Sequence, residues 1–307
     1  MAAADERVTF PGAVPPERVS TVDSAGLRIA VHEWGAPEAP PIVLFHGGFD
    51  FSRTFDVFAP LLAGDGWRVV AWDARGHGDS EHAALYSWDA DVRDALAVLE
   101  AVSDEAVVVL GHSKGGGVAM QLADALPHRV RALINFDGLP SKQPVPDVAD
   151  HDRTRLLASE LEGWLDHRRR AADAVRRAGT LDDLATRRGA MNPRLSPEWL
   201  RYLASVGGRR DADGWRWKLD PSMRFGGFGP WRPEWSMLRM RSLGMPFLGV
   251  LGRIPEPMGW GTRPADVVPY LPDGARFEVY DDSGHFLHIE HPERTAALVR
   301  EFLEARL

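Results

Sequence analysis

Attack of a serine on a carbonyl needs a base within hydrogen-bond reach, a carboxylate to orient that base, and N–H donors for the oxyanion. Residues of these types stand at suggestive places in the chain. Gly111-His112-Ser113-Lys114-Gly115 follows the apolar run Ala106–Leu110 and leads straight into a helical pattern, Gly115–Leu126. A Gly-x-Ser-x-Gly match alone arises by chance in about one chain of this length in ten, with glycine and serine each near 7% of residues. Its context carries the weight. A sharp turn from strand to helix strains the serine and exposes it, and Gly115, Gly116 and Gly117 let the backbone pass closely. Ser113 then lies at a helix N-terminus, where N–H groups favour developing negative charge. Ser113 is therefore the candidate nucleophile.

Among eleven histidines, His285 is the best placed base. It follows the strand pattern Arg276–Tyr280 within Asp282-Ser283-Gly284-His285-Phe286, just before the last helical pattern. His288 and His291, three and six residues on, read as packing or capping residues rather than as metal ligands. One oxyanion donor is expected from the backbone N–H of Lys114. The other is expected from His46-Gly47-Gly48-Phe49, after the run Ile42–Phe45, with Gly48 as donor and Phe49 as fallback. Asp137 is a candidate for the acid: it ends the run Ala132–Phe136, and Gly138 lets the chain turn there. A carboxylate beside that much apolar surface also calls for a charged partner.

The elements that must position these residues follow from periodicity. Arg18–Asp23 and Leu27–Trp34 flank Ser24-Ala25-Gly26 as a hairpin. Ile42–Phe45, Arg68–Trp72, Ala106–Leu110 and Ala132–Phe136 are continuous apolar runs of the kind buried on both faces of a sheet. Trp88–Val102 has apolar residues at helical spacing. Such alternation predicts a mostly parallel sheet with helices on both faces, an α/β class. From Pro140 to about Arg241 no comparable strand occurs. Arg153–Arg177 reads as a long charged helix or a helix pair, Asp182–Arg188 and Pro197–Ser205 read as shorter helices, and Trp215–Trp235 reads as irregular. The sheet pattern returns at Phe247–Leu251 and Arg276–Tyr280, and Pro292–Ala305 closes the chain as a helix. The expected organisation is an N-terminal arm (1–17), a core (18–139 and 242–307) and a helical cap (140–241) over the carboxyl ends of the strands, where ligands of open α/β sheets bind. Seven of the eleven tryptophans fall between residues 164 and 260 and are expected either to line an apolar pocket facing Ser113 or to pack the cap on the core. Arg168–Arg170 reads as a solvated helix face before it reads as an anion site.

Composition narrows the function further. With 307 residues, 44% of them apolar, the chain can bury one sizeable core plus an insertion. A net charge of −8 without a basic face argues against nucleic acid as a partner. There is no cysteine, which excludes disulfides, thiolate metal sites and a cysteine nucleophile. No apolar run approaches the ~20 residues of a membrane span, and the first residues lack the pattern of a signal peptide. The expectation is a cytoplasmic protein that needs neither metal nor cofactor and does not engage a membrane.

These residues together resemble the α/β-hydrolase superfamily. The matches are His46-Gly47-Gly48, Asp73-Ala74-Arg75-Gly76-His77-Gly78-Asp79-Ser80, the serine turn, and Ser283-Gly284-His285 followed by His291-Pro292-Glu293. Within it, the capped esterase-like branch that includes serine-hydrolase-like proteins is nearest, on Phe55-Asp56, Arg168-Arg169-Arg170, Asn192-Pro193 and Trp215-Arg216-Trp217-Lys218-Leu219-Asp220. The resemblance implies an α/β-hydrolase fold, the chain order serine, acid, histidine, and structural roles for His77 and Asp79. It also implies that the acid often stands after the strand Phe247–Leu251, at the position held here by Pro255. Glu256, the next residue, is thus the alternative acid to Asp137. The function expected is hydrolysis of a carboxylic ester of a small to medium apolar molecule. A C–C bond hydrolase or lyase on the same triad, and a non-catalytic binding protein of the same fold, are the rival readings.

Overall fold

The computed structural model describes residues 8–139, 151–171, 173–223 and 234–307, with side chains omitted at 151–157, 160 and 234–236. Ten strands and ten helices alternate along the described chain. They are β1 (Arg18–Ser24), β2 (Leu27–Trp34), β3 (Pro41–Phe45), α1 (Phe58–Gly64), β4 (Arg68–Trp72), α2 (Trp88–Val102), β5 (Val107–His112), α3 (Lys114–Ala125) and β6 (Val130–Phe136). After β6 come α4 (His151–Ala171), α5 (Leu181–Gly189), α6 (Pro197–Gly207), β7 (Gly208–Asp211), β8 (Gly214–Trp217) and α7 (Glu234–Met240). The chain ends with β9 (Phe247–Gly252), α8 (Pro264–Val267), β10 (Arg276–Tyr280), α9 (Leu287–Glu290) and α10 (Pro292–Arg306).

Eight strands form one sheet in the order β1-β2-β4-β3-β5-β6-β9-β10. β1 and β2 are antiparallel, β2 is antiparallel to β4, and every pairing from β4 to β10 is parallel. The apolar runs of β3, β4, β5, β6 and β9 are nearly unbroken because each has a core on either side, whereas β10, at the sheet edge, is half-buried. Val43, Val70, Val109 and Leu133 fill one core against α2 and α3; Ile42, Leu44, Val108, Leu110 and Ile134 fill the other against α1 and α10. Burying a side chain of this size is worth about 1.5–3 kcal/mol each, so both faces commit the strands to one register. That register brings the carboxyl ends level: His112 lies beside Phe136, Phe136 beside Val250, and Gly252 beside Tyr280. The residues following those ends, Ser113, Asp137 and the loops to Glu256 and His285, are thereby gathered at one edge.

The segment between β6 and β9 departs from the sequence expectation in three ways. It is not wholly helical, since β7 and β8 form a two-stranded antiparallel hairpin that takes in Trp215 and Trp217. The hairpin is polar, held by Arg216 bonded to Asp211 and Asp213 and by Gly179 bridging Trp215, so hydrophobic periodicity gives no sign of it. Second, α4 ends at Ala171 and residues 173–179 carry no helix, with Arg176 bonded to the Leu219 and Asp220 carbonyls. Third, α7 packs on α3 and its Met240 joins the main core, so a boundary at residue 241 falls after a helix that packs with the core. Residues 140–150, 224–233 and the first seven of the arm lie outside the described residues.

The helices of this insertion carry clear local signals. Thr180 and Asp183 form a reciprocal capping box on α5, and Ser196 caps α6 ahead of Pro197. Trp199, Leu203 and Ala185 then pack against Phe51 and Phe286 of the core in a third apolar cluster. The arm joins it: Phe10 meets Trp199 edge-on at 4.8 Å, and the Val14 carbonyl accepts from the Trp34 indole. Trp199 therefore seats the insertion on the core, the packing role that is one of the two expected of the tryptophans. Trp88 and Trp260 of the core both flank Gly117, while Trp231 and the Trp235 side chain lie outside the described residues.

Candidate active site

Ser113 stands between β5 and α3 at φ +53°, ψ −124°, a left-handed conformation that a side chain adopts only under constraint. Its N–H donates to the Phe136 carbonyl at 2.9 Å, and its own carbonyl accepts from Gly116 and Gly117. A Cβ at Gly115 would strike the backbone of Phe45 and His46, and one at Gly111 would strike Gly115 and Gly116. Gly47 packs against Ser113 and His112 from the other side. Three strand ends thus press on the turn, and only glycine fits around it.

His285 is held at three points. Its Nδ1–H donates to Asp137 Oδ2 at 2.5 Å. Its backbone N–H donates to Glu256 Oε2 at 2.6 Å. Its carbonyl accepts from His112 Nε2–H at 2.8 Å. The bond to a carboxylate assigns the proton to Nδ1 and leaves Nε2 as the basic nitrogen. Asp137, also in the left-handed region at φ +47°, is fixed by Gly252 N–H on Oδ1 at 3.1 Å and by its own N–H on the Val250 carbonyl. The two carboxylates considered for the acid are therefore both beside His285, but Asp137 meets the ring and Glu256 meets the main chain. Burial raises the Glu256 carboxyl above its usual range, and the His285 N–H offsets part of that.

Around the serine, Gly48 and Lys114 lie side by side, a Gly48 Cβ position being 3.6 Å from the Lys114 side chain. The Lys114 ammonium points away to Asp91 Oδ2 of α2, 2.7 Å distant, above the Trp88 ring. The Phe49 N–H, the fallback donor, is engaged by His77 Nε2 at 3.2 Å. His77 can accept because its Nδ1–H donates to the Arg75 carbonyl, and burial keeps the ring neutral by pushing its pKa well down. His46 is likewise neutral, lowered by burial to about 4, and ties the Gly47 carbonyl to the Ala74 N–H. Asp73 anchors this whole floor. It accepts from Ser52, His32 and Asp79, and these bonds hold its carboxyl far below the usual range although burial alone would raise it. His32, Asp73 and Asp79 bring ligand atoms within 4.8 Å of one another. Each is already committed, Asp79 to Lys218 at 2.7 Å, and the cluster reads as scaffold.

Other sequence candidates fall elsewhere. His288 is buried among Phe55, Phe58, Phe286 and His112, and burial lowers its pKa to about 3. His291 lies near Asp282 and the Tyr280 ring. Arg169 and Arg170 are exposed and pair with Asp166, while Arg168 lies over Trp164. Three residues near the site carried no flag in the sequence: His112, Asp50 and Arg188. His112 had one available signal, its place directly before the serine. Arg188 had none, because its partners are 138 and 139 residues away.

A model of the alpha/beta hydrolase fold matches residues 40–225. Over 289 residues, 91% of this chain and 99% of the other, the protein is 32% identical to the lipase LipV of Mycobacterium tuberculosis. A serine hydrolase-like protein of Dictyostelium discoideum is 38% identical over 134 residues, 41% of this chain; that stretch spans only 37% of the relative's own length, and the corresponding match in Danio rerio spans 32%. A solved hypothetical protein of Pseudomonas aeruginosa PAO1 superposes with a TM-score of 0.77 at 27% identity, covering 95% of this chain and all of that one. With the sheet order and the serine turn already described, these likenesses place the chain in the α/β-hydrolase family.

Proposed function

We propose that this hydrolase cleaves carboxylic esters of small to medium apolar molecules through an acyl-enzyme on Ser113. The observation that carries the reading is the bond from His285 Nδ1–H to Asp137, combined with the constrained turn that puts Ser113 at the start of α3. His285 Nε2 takes the serine proton as Oγ attacks the carbonyl, and Asp137 stabilises the imidazolium that forms. The N–H groups of Gly48 and Lys114 hold the oxyanion. Gly48 is preferred over Phe49 because His77 already occupies the Phe49 N–H. His285 then protonates the leaving alcohol and activates the water that deacylates the enzyme. No step calls for a metal or cofactor. The insertion serves as the cap that closes the substrate's side.

The lipase named above supports an ester as substrate. A second reading, C–C bond hydrolysis on the same residues, draws on 28% identity to a 2-hydroxymuconate semialdehyde hydrolase of a Pseudomonas species across 94% of both chains. A fluorophosphonate probe with intact-mass analysis tests the common mechanism: one adduct on Ser113 is expected. A panel of p-nitrophenyl esters of increasing chain length tests the substrate class. An unlabelled protein without esterase turnover overturns the proposal in favour of a binding protein; labelling with no turnover of any ester favours the C–C reading.

A further inference from the structure

The oxyanion loop contains a strained residue held from two directions. Phe49 has φ +60°, and a bulky side chain stays in that region only when its surroundings over-determine it. Its N–H is tied to His77 of the core. Its carbonyl accepts from Arg188 Nη1 at 2.9 Å, and Arg188 belongs to the last turn of α5 in the insertion. The same guanidinium sits 3.4 Å from Asp50 Oδ1 and 5.7 Å from the ring of Phe286, the neighbour of His285. The Arg188 side chain is only 10% exposed, and Asp50 is 1% exposed, so the pair works in a poorly screened environment. Burial raises the Asp50 carboxyl to about 6 although Arg188 pulls it back, so the pair is only partly compensated. The rest of the insertion is seated on the following residues: the end of α6 at Gly207 packs tightly on the Phe51 ring, and Tyr202 bonds Asp56 and Arg53.

We infer that Arg188 is a positioning residue of the oxyanion hole, a guanidinium supplied by the insertion that holds the Phe49 carbonyl and thereby the direction of the Gly48 N–H. The inference rests on the serine-hydrolase reading above for its catalytic consequence. Its physical content is that the Arg188 bond to the carbonyl, added to the His77 bond to the N–H, helps hold Phe49 in its left-handed conformation. When α5 lifts, the carbonyl loses its donor, the loop relaxes, and the preceding N–H turns from the oxyanion position. Oxyanion stabilisation thus depends on the insertion being seated, through Arg188 rather than through contact of that residue with the reacting atoms.

The test compares Arg188→Ala, Arg188→Lys and wild type with p-nitrophenyl acetate, an ester too small to reach far into the insertion. Losing the alignment of one oxyanion donor lowers turnover by about 10- to 100-fold. The alanine variant is expected to lose kcat by about that factor with KM within about twofold, and an added trifluoromethyl ketone inhibitor is expected to lose affinity by a similar factor. Lysine, or guanidinium ion added to the alanine variant, is expected to restore part of kcat. Hydrogen exchange of residues 46–52 is expected to speed up in Arg188→Ala. A raised KM with unchanged kcat overturns the inference and makes Arg188 a substrate anchor. Unchanged exchange at 46–52 overturns it whether or not wild type cleaves esters. A wild type that a fluorophosphonate fails to label removes the ester reading alone, and the exchange result then decides for Arg188. If the alanine variant does not fold, the lysine variant carries the same comparisons.

Discussion

The two halves of the site are built differently. On the acid side, His285 is fixed by Asp137, Glu256 and His112, all on loops or strands of the core. On the oxyanion side, Phe49 is fixed by His77 of the core and Arg188 of the insertion. The first half takes its direct partners from the ends of β5 and β6 and the loop after β9, with an outer brace from Arg194 of the insertion, which donates to the Asp282 carbonyl and to Glu290 beside Gly284. The second needs an element whose hold on the core is a modest apolar cluster and a few bonds. The contrast teaches that the direct partners of His285 all lie in the core, whereas Phe49 draws one of its partners from the insertion.

The largest test strikes the residue shared by both halves. Ser113→Ala is expected to lower kcat by about 10⁶-fold while circular dichroism and melting stay close to wild type; ester turnover near the wild-type rate would break the comparison at its pivot. Next comes the acid side. Asp137→Asn removes the acceptor that fixes the His285 tautomer and is expected to cost about 10⁴-fold in kcat. A loss below tenfold would mean that the 2.5 Å bond does not serve the chemistry.

On the oxyanion side the expected effects are smaller. His77→Phe removes the acceptor for the Phe49 N–H and should lower kcat by about 10- to 100-fold, with His77→Gln between it and wild type. Equal kcat in all three proteins would show that the loop is fixed by other means. Glu256→Gln keeps an oxygen that can accept from the His285 N–H and is expected to cost less than about tenfold in kcat. A loss matching that of Asp137→Asn would make Glu256 the acid.

The last prediction concerns stability alone. His288 titrates near 6.5 when unfolded, but burial lowers it to about 3 in the fold. The unfolded chain binds the extra proton between those values. The stabilisation is therefore full above about pH 6.5 and is lost as pH falls towards 3. His288→Phe, in a setting already formed by Phe55, Phe58 and Phe286, should move acid unfolding to lower pH and leave kcat near wild type. An unshifted acid midpoint, followed by fluorescence, would show that this histidine is not a source of the acid lability.

Much of the scaffold is legible because burial on both faces writes itself into the chain. Runs such as Ile42–Phe45 and Val107–Leu110 have no polar interruption, and the glycines after Ser113 announce a turn that tolerates no Cβ. The polar hairpin Gly208–Trp217 is illegible for the converse reason: its pairing is supported by Arg216 and nearby aspartates rather than by an alternating apolar face. The tryptophans leave pocket and packing equally open in sequence, and for Trp199 folding decides on packing, against Phe10 and Tyr202.

By itself, then, the sequence determined the parallel core, the serine turn, the histidine after the last strand, and the shortlist of carboxylates, because each depends on local pattern or on chain order. Which carboxylate reaches the ring was decided only in three dimensions. Asp137 and Glu256 lie 148 and 29 residues from His285, and the nearer one in sequence meets only its backbone. Arg188 was likewise decided by tertiary structure: an arginine on a charged helix looks solvated until folding brings that helix over Phe49. Chain pattern reports which faces must leave water, whereas the placement of a single hydrogen bond depends on where two distant segments stop relative to one another.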